Sequence, residues 1–228
     1  MLIPRLIHQI WLGTQPFPDE YARYRQTWHA AHPEWELRLW TDADLAELPL
    51  RNRDLLRTVR TESERSDVLR YELLYEFGGV YVDADFECLR PLDRLIADES
   101  FFAGADCFAY VINTGLMGAV PGHPFLDEVI RELPGHLADC GVRQVTHPNY
   151  TVGPWFFSRL VHRGTPPDLC VFPTRVFYPY GWYELERRDE DFRATSPGSY
   201  AAHHWSFSWD RDQPRTTARP RDAGLAPK

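Results

Sequence analysis

The sequence predicts a single α/β domain built on a mostly parallel central sheet flanked by helices. Three observations carry that prediction. Strand-like and helix-like stretches alternate from Leu2 to Leu133, the pattern of strand–helix–strand units. The opening run is apolar almost throughout, as suits a strand covered on both faces. The chain has 228 residues, enough for one large core.

Leu2–Leu12 (Leu-Ile-Pro-Arg-Leu-Ile-His-Gln-Ile-Trp-Leu) reads as a buried first strand, stopped by Gly13 and followed by a Pro-containing loop. Tyr21–Ala31 reads as a helix. Glu36–Trp40 alternates as a second strand, after which Thr41 and Asp42 suit the cap of a short helix beginning near Asp44. Thr61 or Ser63 can cap the next helix, which carries Val68, Leu69, Leu73 and Phe77 and is ended by Gly78-Gly79. A strand then leads to Asp83 and Asp85. Phe101–Ala105 and Val111–Val120 are also strand-like, and Pro124–Leu133 is helical after Pro-Gly-His-Pro. Beyond it prolines interrupt any long element, and from Asp210 the chain is polar with four Arg and three Pro. The expected division is a folded domain over 1–209 and a disordered tail over 210–228.

Composition narrows the chemistry. The net charge of −8 disfavours nucleic acid as a partner. Lys228 is the only lysine, so a catalytic or phosphate-cradling lysine is close to excluded. The four cysteines (Cys88, Cys107, Cys140, Cys170) form no C-x-x-C pair, and no run approaches the roughly 18 uninterrupted apolar residues of a membrane span. A reduced, cytoplasmic protein is expected, with peripheral membrane contact left open.

The richest stretch is residues 63–87. On an extended strand Tyr81, Asp83 and Asp85 share one face while Val80, Val82 and Ala84 face the other. Two carboxylates there repel one another unless something positive lies between them. A Mn2+ or Mg2+ ion, which takes oxygen ligands and can bridge to substrate phosphates, suits the pair, with Asp85 as direct ligand and Asp83 reaching the ion through water or holding a ribose hydroxyl. Asp42-Ala43-Asp44 has the same spacing, but capping explains it. On the preceding helix Asp67 and Arg70 are neighbours on one face, either a surface ion pair or part of the site.

Together Ile3–Gly13, Ser66-Asp67-x-x-Arg70, Gly78-Gly79-Val-Tyr81-x-Asp83-x-Asp85, Asn113-Thr-Gly and His204-Trp-x-x-Ser-Trp209 resemble glycosyltransferase family 32. That family includes fungal α-1,6-mannosyltransferases and is related to the clostridial glucosylating toxins. The resemblance covers residues 3–209. It implies a GT-A domain that moves a sugar, with retention, from a nucleotide-sugar donor to a glycan or small-molecule acceptor, a UDP-sugar being favoured over GDP-mannose. It also implies roles: Trp11 stacking on the base, Asp67 and Arg70 on ribose or donor sugar, Tyr81 and Asp83 on ribose, Asp85 and His204 on the metal, and Trp209 donating to the β-phosphate. Asp83, Asp85 and Arg70 are the catalytic candidates. From the residues alone, Trp11 could equally pack in the core, nothing decides between His203 and His204, and Asn113 either meets a sugar hydroxyl or caps the sheet. Histidine beside two carboxylates favours manganese over magnesium. Two rivals stand: a non-catalytic module binding a nucleotide-sugar or glycan, and a phosphatase of the haloacid dehalogenase type, which also places D-x-D at a strand end but often uses a downstream lysine.

Overall fold

A computed structural model describes residues 2–108 and 110–206. Trp209 and the expected tail over 210–228 lie outside these residues. The central sheet has six strands: β1 (Leu6–Ile10), β2 (Glu36–Trp40), β3 (Gly79–Val82), β5 (Phe101–Ala105), β6 (Ile112–Ala119) and β7 (Leu169–Phe172), in the order β2-β1-β3-β6-β5-β7. All run in one direction except β6, which is antiparallel to both neighbours. The sheet is mostly parallel, as expected. A separate two-stranded ribbon pairs β4 (Phe86–Cys88) with β8 (Ala201–His203).

Helices cover both faces, and the alternation within β3 shows how. Tyr81 packs with α3 (Glu62–Phe77), α4 (Pro124–Val142) and α6 (Pro154–Arg163), whereas Val80 and Val82 pack toward α1 (Asp19–Ala31) and the ribbon. Trp28 of α1 donates its indole N–H to the Phe86 carbonyl at 2.8 Å, tying that helix to the ribbon. No helix of the described residues is long and apolar enough to cross a membrane. All four cysteines are free.

Several elements differ from expectation. Residues near Asp44 form turns instead of a helix, because Asp44 Oδ2 accepts from the Thr41 N–H and hydroxyl (2.8 and 2.9 Å) and closes the chain on itself. The short helix comes later, as α2 (Leu55–Thr58). The helix from Pro124 continues through Pro134 to Val142, held by buried Val129, Ile130, Leu133 and Cys140. The proline-rich later third contains α5 (Pro148–Thr151), α6, β7, α7 (Phe192–Thr195) and β8. Prolines at the first turns of α5 and α6 start those helices, where no N–H donor is needed.

The turn from α3 into β3 aims the site. Thr61 and Glu64 form a capping box at the start of α3. At its end Gly78 and Gly79 have φ of 63° and 97°, and a Cβ on Gly79 would lie 2.5 Å from the Leu6 carbonyl oxygen. The Gly78 carbonyl accepts from His8 Nε2 at 2.7 Å, and His8 Nδ1 accepts from the Trp40 indole at 3.0 Å. This pairing fixes His8 as the neutral tautomer, and burial holds its pKa down at about 4. The unfolded chain binds the proton first, so the stabilising difference is complete above pH 6.5 and is lost as pH falls toward 4. Urea titrations at pH 7.5 and 4.5 should show about 2.5 kcal/mol of acid destabilisation from this residue, missing in His8→Gln. An unchanged pH dependence in that variant would assign the effect elsewhere.

Candidate active site

The acidic pair lies in a turn, where the sequence expectation had placed it on an extended strand. β3 ends at Val82 and the chain leaves the central sheet at Asp83, with the Phe86 N–H donating to the Asp83 carbonyl at 3.1 Å, so that β4 can pair with β8. Tyr81 still faces the pair: its hydroxyl donates to Asp83 Oδ1 at 2.6 Å.

Beneath Asp83 lies a buried charge cluster. Arg70 Nη2 is 2.7 Å from Asp67 Oδ1 and 3.1 Å from Asp83 Oδ1, its Nη1 donates to the Thr114 carbonyl and hydroxyl (2.8 and 3.0 Å), and its guanidinium stands over the Tyr81 ring. Arg70 is 6% exposed, so the pair with Asp67 is no surface bridge. One cation serves two carboxylates here. Burial therefore pushes the carboxyls of Asp67 and Asp83 up, against the pull of Arg70, while the two carboxylates overcome the burial of Arg70 and hold its proton tightly. These contacts let Arg70 position Asp83 from the cavity wall.

A register break supplies the next wall. Between Ala103 and Gly104 of β5 the partner on β6 jumps from Met117 to Asn113, freeing Thr114–Leu116 from β5. That slack lets the Gly115 carbonyl accept from the Asp83 N–H at 2.7 Å and the Thr114 oxygens meet Arg70. A Cβ on Gly115 would lie 2.6 Å from Asp83 Oδ2, so glycine is what allows this approach. Asn113 Oδ1 accepts from the Gly115 N–H at 2.8 Å, and its Nδ2 donates to Asp106 at 2.7 Å.

The far end of the chain closes the site. Phe86 and His203 are register partners across β4 and β8, and their rings stack at 4.3 Å. His203 Nε2 lies 3.1 Å from Asp85 Oδ1, while the Ser206 N–H and hydroxyl both donate to Asp85 Oδ2 at 2.9 and 2.6 Å. Trp205 adopts φ of 47°, a left-handed bend that wraps the segment around Asp85. Burial opposes ionisation of Asp85, but His203 and Ser206 outweigh it and hold the carboxyl well below its usual range; the same ion pair raises His203 against its own burial. His204, the expected ligand, turns away: it stacks on Tyr24 at 4.3 Å and its Nε2 is 3.4 Å from Glu87. Alternation along the closing strand makes His203 the histidine that faces the acidic pair. Ser206 was overlooked because its contact depends on the bend at Trp205.

Asp83, Asp85 and His203 each offer one ligand atom, and these atoms lie within 4.8 Å of one another. They are close enough together to hold one divalent cation. His203 Nδ1 is buried and has no hydrogen bond among the described residues. The three residues line a cavity of about 910 Å³ that also takes in Trp11, Asp67, Arg70, Tyr81 and Asn113. Trp11 is on the cavity wall, its indole N–H donating to the Gln15 carbonyl at 2.8 Å and its ring set edgewise against Phe17 and Tyr21. The twin at Asp42 and Asp44 is used up locally: Asp42 accepts from the Gly13 N–H and pairs with Arg65.

Residues 18–102 match a family model described as "Glycosyltransferase sugar-binding region containing DXD motif". This part of the chain is similar to a DXD-type glycosyltransferase sugar-binding region. Among curated relatives, inositol phosphoceramide mannosyltransferase 3 of Schizosaccharomyces pombe is 33% identical over 68% of this chain and 44% of its own length. Mannosyl phosphorylinositol ceramide synthase CSH1 of Saccharomyces cerevisiae is 32% identical over 90% of this chain and 50% of its own. This DXD chain thus spans half or less of the length of these relatives. In three dimensions it is similar to the PaToxG glycosyltransferase, with a TM-score of 0.55 at 13% identity, covering 71% of this chain and 69% of that one. The fold is the GT-A fold.

Proposed function

We propose that this chain transfers a hexose from a nucleoside diphosphate sugar to a hydroxyl acceptor, assisted by a divalent cation, Mn2+ before Mg2+. The observation that carries the reading is the gathering of Asp83, Asp85 and His203, from opposite ends of the sequence, on the wall of one cavity. Breaking a sugar–phosphate bond leaves charge on the diphosphate, and a bound divalent cation stabilises that charge as it develops. The protein's own contribution is orientation. Arg70 and Tyr81 fix Asp83, and Ser206 and the ribbon fix Asp85. Trp11 offers an aromatic surface for the base on the flank beside β1.

Both relatives described above carry mannose in their names, which puts GDP-mannose first among candidate donors, ahead of the UDP-sugar favoured by the sequence. A thermal-shift screen of GDP- and UDP-linked sugars with and without Mn2+ tests the reading. At a hundredfold excess over Kd a donor adds about 2.7 kcal/mol, and for a chain of this size each kcal/mol raises Tm by about 2–4 °C. The expected result is a cation-dependent rise with one of the two base classes, accompanied by slow release of free sugar. No rise with any donor would overturn the transferase reading, and a rise without turnover would leave a binding module.

A further inference from the structure

We propose that Asp106 and the aromatic wall formed by Phe108, Trp155 and Trp182 are an acceptor subsite for a cyclic polyol, such as a hexose ring. This rests on the transferase reading and goes beyond it by naming the acceptor's chemistry. Strand order locates the subsite. Trp11 follows β1, the acidic pair follows β3 and Asp106 follows β5, all at the carboxyl edge of a sheet ordered β1-β3-β6-β5. Trp11 and Asp106 therefore flank the acidic pair on opposite sides, within one cavity. If the base occupies the Trp11 flank, the flank beyond Asn113 is left for the second substrate.

The chemistry of that flank suits a ring bearing several hydroxyls. Asp106 is 7% exposed, yet it lines the cavity. Its Oδ2 accepts from Asn113 and its Oδ1 from the Cys107 thiol at 2.8 Å, while its main chain is pinned by Val111 and Thr174. A carboxylate has about four acceptor positions, so two remain for ligand hydroxyls. Asn113 cannot reverse its amide, because its oxygen already accepts from Gly115. Asp106 is thus a fixed acceptor, joined through Asn113 and Gly115 to the main chain of Asp83.

Around it the rings are joined in a chain: Trp182 meets Phe108 at 6.4 Å, Phe108 meets Tyr110 at 6.3 Å, and Tyr110 meets Trp155 at 5.5 Å. Phe108, 43% exposed, lines the cavity with Trp155 and Trp182, and Tyr110, 56% exposed, links Phe108 to Trp155 from outside it. Sugar rings present C–H faces with hydroxyls at the rim. A broad aromatic wall beside one buried carboxylate matches both surfaces.

The test measures binding to protein loaded with Mn2+ and either GDP or UDP, whichever the screen selects. The probes are methyl α-D-mannoside and methyl β-D-galactoside in solution, and an alkyl α-D-mannoside in phosphatidylcholine vesicles. At least one probe should bind, and Asp106→Asn and Trp182→Ala should each weaken it about tenfold, the first through a lost hydrogen bond to a charged group and the second through a lost ring contact. The nucleotide–Mn2+ thermal shift should be unchanged in Trp182→Ala, which separates this subsite from the donor site. Binding of the free glycosides points to a glycan acceptor, and binding only at the vesicle to a lipid-displayed one. The proposal is overturned if no probe binds in either form, or if both variants bind like the unaltered protein. Failure of the transferase reading shows differently, as loss of the nucleotide-sugar shift in the unaltered chain.

Discussion

Asp85→Ala should abolish the Mn2+-dependent thermal shift and lower sugar transfer by about 10³-fold or more, the scale on which electrostatic stabilisation of a leaving group operates. Two losses combine in this one substitution. The cation site loses its most strongly ionised carboxylate, since His203 and Ser206 overcome burial and keep Asp85 charged across the usable pH range. The closing segment loses two hydrogen bonds as well, because the Ser206 N–H and hydroxyl both end on Asp85 Oδ2. Asp85→Asn separates the two, as it keeps an acceptor for the segment while removing the charge. Its Tm without metal should stay nearer that of the unaltered protein, with transfer still lost. Asp42→Ala is the control from the sequence twin, and it should leave the Mn2+ response intact. Transfer within tenfold of normal in Asp85→Ala would remove the cation from the proposed mechanism.

The contrast between the two D-x-D copies shows what was legible in the sequence. Local signals sufficed for a helix cap at Thr61 or Ser63, the Gly78-Gly79 turn and the alternation of Tyr81 against Val80 and Val82, because each depends on neighbours within a few residues. The choice between His203 and His204 did not, since it depends on β8 pairing with β4 across more than a hundred residues. The end of β3 was missed for the same reason: nothing near Val82 announces that the chain must leave the sheet to meet that distant strand. Asp106 was invisible until the register break on β6 turned Asn113 toward it. Its sequence neighbourhood, Gly-Ala-Asp-Cys-Phe, reads as an ordinary strand end.

Arg70 is where a single substitution should cost the fold most. Arg70→Leu leaves Asp67 and Asp83 with no cation between them, and removing one partner of a buried ion pair typically costs about 3–5 kcal/mol. For a chain of this size that lowers Tm by roughly 6–20 °C. A packing defect could produce a similar fall, so pH must separate the causes. Without Arg70, burial and mutual repulsion raise both carboxyls further above their unfolded values. The folded variant then prefers the protonated forms, and its deficit relative to the unaltered protein should be largest at pH 7.5 and shrink as pH falls toward 5. Asp67→Asn added to Arg70→Leu should recover part of the loss at pH 7.5, because it removes one of the two stranded charges. Urea titrations of the three variants at both pH values measure this directly. A deficit that is the same at pH 7.5 and 5, and is not reduced by Asp67→Asn, would show that Arg70 acts through packing alone and that Asp83 is oriented by Tyr81 and Gly115 without it.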